Sequence, residues 1–381
     1  MEHVGSENYE MGWLKVILKN FLPRKTHFMG IDVGTHEVKV AEVKVIDGEP
    51  EVVALRRCPS PQGVWSKEFD EEKLVEALKE IANPRLKEVI TCIGGENVIG
   101  RIVRLPPMEE KELEKAVRFE VERFVPTPVD QLIIRSVWLE EEENESRKTP
   151  RIRIFIPRTR EVREIEGVTG EGRSLLILAV PAAVVYQYHS IFSRAGLLVT
   201  AVDLQAFALW RLFGRGAPGT VAIADIGAKN SHLVVVREGI VRFLRLLPVG
   251  GNAVTAFLAN TYGVEFAEAE KMKLEAAASR EEESSGLPGL LQASDLFHGG
   301  IMEIARELKR SLEFYSAQEK VQVERVILSG GAVKLKELPG HLQESLGIPV
   351  EVGLPDIRLP DEGPYDPAYA VAIGLALREV V

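Results

Sequence analysis

The sequence predicts an α/β protein built from two similar lobes. Short apolar, β-branched runs alternate with helix-patterned stretches along most of its 381 residues. A strand–turn–strand unit carrying an Asp-x-Gly turn occurs at residues 28–45 and returns at residues 221–236. Each copy is followed by an acidic-Gly hairpin turn and a third strand, the mark of an internal duplication. Two such units facing each other would bring both Asp-x-Gly turns to one cleft.

Composition narrows the class. The chain is 45% apolar and 27% charged, as soluble globular proteins are. A net charge of −10 argues against bulk nucleic-acid binding. Cys58 and Cys92 give no disulfide framework or metal-site spacing, which makes a reducing cytoplasm the default. No apolar run reaches the roughly 20 residues that span a bilayer, and no signal peptide is evident.

Residues 1–10 are polar. Met11 to Leu22 sets Trp13, Leu14, Ile17, Leu18 and Phe21 on one helical face, with Lys15 and Lys19 elsewhere and Arg24 and Lys25 following. Such a helix packs on its own domain, lies on an anionic membrane or docks on a partner. Phe28 to Val33 suits a sheet covered on both faces. Asp32 interrupts it, Gly34 and Thr35 turn the chain, and Val38 to Val45 returns as a strand. Two uses fit this turn. It is either an ordinary hairpin with a capping Asp, or a loop whose N–H groups cradle phosphate while the carboxylate holds hydrated magnesium. Asp47-Gly48 leads into a third strand, Glu51 to Arg56. Phe69 to Ala82 has helical spacing, and Glu88 to Gly94 reads as a buried strand ending in Gly94-Gly95.

Residues 97–182 differ in character. Val98 to Leu105 is a strand, and Glu109 to Phe124 is a helix with Leu113, Val117, Val121 and Phe124 on its apolar stripe. Pro126 and Pro128 stop it. Gln131 to Leu139 and Ser174 to Val180 are strands. Between them lies an acidic run, Glu140 to Glu145, and an arginine-rich one, Arg147 to Arg163. Arg151 to Ile156 alternates apolar and basic residues, as an exposed hairpin or a mobile insertion does, and serves as a solvated loop or a binding patch.

Pro181 to Ala195 is a helix, Leu197 to Asp203 a strand and Leu204 to Phe213 a helix, with a boundary at Gly214 to Gly219. Val221 to Ile226 holds Asp225, followed by the turn Gly227-Ala228-Lys229-Asn230. His232 to Val236 and Ile240 to Leu247 complete the second copy. Gly250-Gly251-Asn252 opens a helix from Ala253 to Tyr262. Phe266 to Ala278 carries Glu268 and Lys271 at i, i+3. Arg280 to Gly289 reads as a mobile loop, and Leu296 to Ser316 as a long amphipathic helix. Arg325 to Leu328 is a strand ending in Ser329-Gly330-Gly331-Ala332, a turn that lets backbone approach a flat ligand. Leu335 to Leu346 is a helix, Val350 to Val352 a strand and Ala368 to Val380 a final helix.

Taken in order, Asp32-Val33-Gly34-Thr35, Asp225-Ile226-Gly227, Glu268 with Lys271, and Ser329-Gly330-Gly331-Ala332 resemble the nucleotide-binding elements of the actin/hexokinase/Hsp-type ATPase superfamily. Within it the chain resembles the PilM family of type IV pilus assembly proteins, itself similar to the division protein FtsA. The basic leader, Glu114 to Pro126, Val202 to Leu209 and Leu247 to Asn252 carry that closer likeness. The resemblance covers residues 28–381.

It implies a bilobal actin-like ATPase fold of duplicated ribonuclease-H-like lobes with an FtsA-type 1C subdomain. The implied divisions are a leader (1–27), subdomain 1A (28–96 and 183–216), 1C (97–182, with an insertion at 140–173), 2A (217–254 and 321–381) and 2B (255–320). Gly34, Thr35, His36, Gly227, Ala228, Lys229, Asn230, Gly250 and Gly251 would surround the phosphates of ATP. Glu268 and Lys271 would sit near the ribose and base, and Gly330, Gly331 and Ala332 would cover the adenosine. Asp32 and Asp225 would hold magnesium through water. Lys229 either neutralises phosphate or is solvated, and Lys39 is read as structural.

Superfamily hydrolases often place a Glu or Gln after the last strand of the first lobe. That position aligns with Leu204, with Gln205 beside it, and the second loop lacks the commoner Gly-Gly-Thr. The resemblance therefore implies nucleotide binding with slow or absent turnover. It further implies a cytoplasmic scaffold at the inner face of the inner membrane. Its partners would be the N-terminal peptide of PilN, the PilN/PilO complex and the pilus motor ATPases. Phe119, Val121 and Phe124 on the 1C helix are the candidate peptide contacts, with core packing as the alternative. Other functions carried by this fold are a sugar- or acetate-kinase-like phosphotransferase and a filament-forming protein.

Overall fold

A computed structural model describes residues 25–65, 69–95, 98–106, 108–139, 151–156, 161–166, 173–278, 293–360 and 364–380. The amphipathic leader, the loop at 280–289 and much of the 140–173 insertion lie outside them. The chain runs through β1 (His27–Val33), β2 (Glu37–Ile46), β3 (Glu49–Pro59), α1 (Glu71–Ile81), β4 (Glu88–Cys92), β5 (Ile99–Leu105), α2 (Glu110–Phe124), β6 (Leu132–Trp138), β7 (Arg151–Ile156), β8 (Glu161–Glu166), β9 (Arg173–Pro181), α3 (Ala182–Arg194), β10 (Leu198–Asp203) and α4 (Gln205–Leu209). It continues through β11 (Thr220–Ile226), β12 (Ser231–Arg237), β13 (Ile240–Leu247), α5 (Gly251–Tyr262), α6 (Phe266–Ala278), α7 (Ala293–Glu319), β14 (Arg325–Ser329), α8 (Leu338–Leu346), β15 (Val350–Val352) and α9 (Ala370–Ala376).

Two five-stranded sheets repeat one topology, β10-β4-β1-β2-β3 and β13-β12-β11-β14-β15. In each, a central strand pairs antiparallel with its hairpin partner and parallel with a later strand. The duplication read from the sequence is therefore a duplication of whole sheets. β1 and β11 are apolar on both faces because both faces are covered. On the first sheet, Leu74, Val75, Leu78 and Ile81 of α1 pack with Met29, Ile31 and Val40. Each such side chain contributes about 1.5–3 kcal/mol on burial. Asp70 starts α1 by accepting hydrogen bonds from the Glu72 and Lys73 amides.

The other face of the first sheet is covered from the far end of the chain. Ala372, Ile373 and Ala376 of α9 pack with Ala41, Val43 and Val52. A Cβ on Gly30 would fall 2.2 Å from the Ala372 carbonyl oxygen, so only glycine lets this helix lie on the strand. The last helix, grouped with 2A by its place in the sequence, thus belongs physically to the first lobe. α4 and the start of α9 form the seam between lobes, sharing a core with Val221, Ile223 and Val234 of the second sheet. The 255–320 stretch and the helix that leads into it pack on the second sheet. There α5 and α7 bury Val254, Leu258, Phe297, Ile301, Ile304 and Leu308 against Ala222, Leu233 and Val235, within the second lobe's core.

Residues 97–182 contain a three-stranded sheet in the order β5-β9-β6 with α2 on one face. Val121 is wholly buried there, against Leu175, Ile177 and Ala179. This corrects its assignment as a peptide contact, because its place on the apolar stripe is spent on the sheet. Phe124 is half-buried, with the Arg101 guanidinium 5.2 Å from its ring centroid, whereas Phe119 is 62% exposed. Arg151 to Ile156 forms one strand of a separate antiparallel ribbon, β7–β8. No helix among the described residues is long and apolar enough to cross a membrane.

Candidate functional site

The two Asp-x-Gly turns meet at the seam between the sheets. Asp32 and Asp225 are both buried at their strand ends, and each stands in register with a basic residue of the returning strand. Asp32 faces Lys39, and Asp225 faces His232. The first turn is fixed by the Gly34 amide donating to the Glu37 carbonyl, and by the Ser60 hydroxyl donating to the Gly34 carbonyl at 2.7 Å. The second is fixed by the Gly227 amide donating to the Asn230 carbonyl at 3.1 Å. Gly250 and Gly251 pack beneath it. The Gly251 and Asn252 amides donate to the Gly227 and Ala228 carbonyls, both at 2.8 Å. A Cβ on Gly250 would fall 2.5 Å from the Gly227 oxygen, which explains the glycine.

Lys39 lies within this site rather than serving the sheet. Its Nζ is 3.4 Å from Asp32 Oδ2. Burial works against its charge, but Asp32, Asp225 and Glu37 outweigh that and hold its pKa above the ordinary value. Asp225 is pushed up to about 6, first by burial and then by the Asp32 charge, against the pull of Lys39 and the Ser329 hydroxyl. The His232 imidazole is driven down to about 4 by burial, so it is neutral near pH 7. The signal for both residues was available in the sequence. Lys39 and His232 each lie seven positions past the repeated aspartate.

The Gly330 turn closes the opposite side. Gly330 has φ of +92°, and a Cβ there would fall 2.5 Å from the Ile226 oxygen. Gly331 faces open space. Ala332 and Lys273 both border Gly251, at 3.4 and 3.7 Å from where its Cβ would be. On α6 the residues turned inward are Glu270 and Lys273, not Glu268 and Lys271. Lys273 Nζ donates to the Gly251 carbonyl at 3.3 Å, Thr255 Oγ1 at 2.9 Å and Glu270 Oε2 at 2.7 Å. Burial pulls the Glu270 pKa up, but the Lys273 and Thr255 hydrogen bonds hold it below the ordinary value. Its other oxygen lies 3.8 Å from His36 Nδ1, across the cleft. Glu268 is exposed, and Lys271 pairs at the surface with Glu275 at 3.7 Å. The run Glu-Ala-Glu-Lys-Met-Lys holds two Glu–Lys pairs at the same spacing, and only burial separates them.

Leu204 caps α4, and Gln205 is its first residue. The Gln205 amide lines a cavity of about 70 Å³ together with Gly94, Gly95, His232 and Arg245, and its buried Oε1 has no hydrogen-bond partner among the described residues. The polar residue missing from the aligned position is thus present one residue later. Thr35, His36 and Lys229 are exposed at the loop tips, and Ala228 and Asn230 are half-buried.

The arrangement recurs in known proteins. The family model described as type IV pilus assembly protein PilM matches residues 30–380. This chain is a PilM-family protein. A solved PilM-PilN type IV pilus biogenesis complex aligns with 26% identity and a TM-score of 0.72, covering 94% of this chain and 100% of that one. The ethanolamine utilization protein EutJ from Carboxydothermus hydrogenoformans shares the fold, with 16% identity, a TM-score of 0.52 and coverage of 98% and 99%. The cell division protein FtsA of Streptococcus pneumoniae is 23% identical over 93% of this chain and 80% of its own length. The PilM-family chain therefore has the actin-like ATPase fold.

ATP with magnesium fits the residues present. Gly34, Gly227, Gly250 and Gly330 sit where any side chain would meet backbone or Lys39, leaving the loops free to approach phosphate. Two buried carboxylates share one lysine, a balance that a divalent cation would improve. Among the described residues no three His, Cys, Asp or Glu side chains gather into a cage. A magnesium ion here would draw its other ligands from phosphate and water.

Proposed function

We propose that this chain is a nucleotide-binding scaffold of the type IV pilus machinery. It takes ATP with magnesium between its lobes and the N-terminal cytoplasmic peptide of PilN on its first lobe. The observation that carries this reading is the convergence of Asp32, Lys39 and Asp225 at a glycine-lined cleft. Asp32 and Asp225 hold hydrated magnesium, and Lys39 neutralises phosphate. Glu270 and Lys273 face the ribose, and the Gly330 turn faces the base. The matched PilM-PilN complex supports PilN as the partner. Through PilN the chain meets PilO, lies at the inner face of the inner membrane and is coupled to the pilus motors.

The peptide site of this reading lies on 1C. A groove of about 450 Å³ runs past the end of α2, lined by Arg118, Glu122, Pro126, Thr127, Pro128 and Asp130. Phe119 is the exposed aromatic on the same helix. Turnover is slow: among the described residues the polar side chains lining the cavity beside the second loop are Gln205, Arg245 and neutral His232.

Titration calorimetry with MgATP, and separately with a synthetic PilN N-terminal peptide, tests this reading. Both should bind, and Asp225→Ala should weaken MgATP at least tenfold while sparing the peptide. Wild-type protein that binds neither, yet phosphorylates a small substrate, would refute it.

A further inference from the structure

The first phosphate turn is tied from outside its own hairpin. One loop, residues 60–65 just after β3, takes three of its carbonyls. The Trp65 indole donates to the Val33 carbonyl at 3.2 Å, and the Ser60 hydroxyl to the Gly34 carbonyl at 2.7 Å. The Ser60 amide donates to the His36 carbonyl at 2.9 Å. The loop is built to hold that pose. Trp65 has φ of +68°, a left-handed conformation that is an outlier for so bulky a residue. Such a conformation persists only where its surroundings fix it. Here the indole stacks on Tyr188, with ring centroids 3.8 Å and planes 8° apart, and meets Phe69 edge-on at 5.4 Å. Tyr188 is 3% exposed, so the indole rests on the core.

The second turn gains the same restraint by other means. Gly227 holds the place of Gly34 in the duplicated hairpin, and its carbonyl is also taken, by the Gly251 amide at 2.8 Å. In the second lobe the start of α5 supplies the donor. In the first lobe a side chain of the 60–65 loop does. The consequence follows from the planar trans peptide, in which a carbonyl and the next N–H point in opposite directions. Holding the Gly34 carbonyl sets the direction of the Thr35 N–H. Holding the Val33 carbonyl keeps the Gly34 N–H on Glu37, the bond that closes the turn. Thr35 and His36 stand exposed at the tip.

We infer that Ser60 and Trp65 are positioning residues for the first phosphate loop, holding its carbonyls so that the amides at its tip face the phosphates of a bound nucleotide. This rests on the proposed nucleotide site and deepens it. Both side chains act through the turn rather than on the ligand. A row of N–H groups makes an anion-binding concavity only while their directions are fixed, and the strained Trp65 is the part of the loop that fixes them against the core.

Titration calorimetry of the full chain with MgATP and with adenosine, beside chemical denaturation, tests this. Trp65→Phe keeps an aromatic ring on Tyr188 and loses the indole donor. Ser60→Ala loses the hydroxyl and keeps the amide. Each weakens MgATP by about three- to tenfold, the worth of one neutral hydrogen bond, and spares adenosine, which carries no phosphate. Ser60→Thr, which keeps the hydroxyl, recovers the affinity that Ser60→Ala loses. A purely structural role would lower both affinities together, in step with the denaturation midpoint. That result, or MgATP affinity unchanged in both variants, or no recovery in Ser60→Thr, overturns the positioning role and leaves the nucleotide site standing. Wild-type protein that binds no MgATP overturns both.

Discussion

The two phosphate-loop hairpins share a topology and differ in charge. In the first lobe, Asp32 stands opposite Lys39, a cation held charged by three carboxylates. In the second, Asp225 stands opposite His232, a neutral imidazole, and is itself pushed up to about 6. One ancestral hairpin has thus been tuned in two ways. The first lobe brings fixed positive charge to the cleft. The second brings a carboxylate whose proton is held to higher pH and a neutral imidazole that lines a cavity. The difference teaches that duplication conserves the backbone frame of a site while freeing the residue at one register position to divide the labour.

Removing Lys39 breaks the comparison hardest. It leaves Asp32 and Asp225 facing each other without their shared cation, and losing one partner of a buried ion pair costs about 3–5 kcal/mol. Lys39→Met should lower the chemical-denaturation midpoint sharply and weaken MgATP by two or more decades, on the order of 3 kcal/mol. His232→Ala removes no charge. It should cost no more than about 1–2 kcal/mol of stability and leave MgATP affinity within severalfold. Equal losses in the two variants, measured by denaturant titration and calorimetry, would show that the lobes are not specialised as described.

That asymmetry also marks how far the sequence can be read. The repeated Asp-x-Gly turns, the Gly330 turn and the strands β5, β6 and β9 are legible because glycine demands and apolar alternation are local signals. The functional pairings are not local. Lys39 looks like any strand lysine until the register sets it against Asp32. Glu268–Lys271 and Glu270–Lys273 have identical spacing, and only the roll of α6 chooses between them. α9 belongs with the first lobe because Gly30 admits its backbone, a contact between residues more than three hundred positions apart. Gln205, beside the Leu204 of that alignment, reaches the cavity as the first residue of α4.

Acid titration sharpens the contrast within the second lobe alone. The Asp225 pKa rises on folding, from an ordinary 3.8 to about 6, so the folded state binds the extra proton. Its stabilising contribution is full below 3.8 and lost as pH climbs through 6. His232 runs in the opposite sense. Its folded pKa is about 4 against an ordinary 6.5, so the unfolded state binds the extra proton and stability rises with pH between those values. Each shift of about two units amounts to roughly 3 kcal/mol at most, and over pH 4–6 the two nearly cancel. Asp225→Asn should therefore make stability climb more steeply with pH than in the wild type, and His232→Gln less steeply. Melting temperatures of ligand-free protein at pH 4.5, 5.5 and 6.5 would show parallel curves for all three proteins if the hairpin did not titrate this way.

The smallest expected difference lies in the turns themselves. A Cβ on Gly227 would stand 2.7 Å from the Asn230 carbonyl oxygen, a backbone atom that cannot swing aside. On Gly34 it would stand 3.0 Å from the Glu37 oxygen and 3.2 Å from the Lys39 ammonium, the end of a flexible chain. Neither glycine has a left-handed φ, so the penalty is contact rather than backbone strain. Overpacking of this kind costs about 1–3 kcal/mol, and Gly227→Ala should fall higher in that range than Gly34→Ala. Their effects on nucleotide should invert that order. Displacing the Lys39 ammonium by a few tenths of an ångström disturbs the cation that the phosphates meet, whereas a shifted Asn230 carbonyl disturbs only the turn. Denaturant titrations and MgATP calorimetry on the pair would expose the inversion, and a single ranking in both measurements would mean that the two loops contribute to the cleft through their backbones alone.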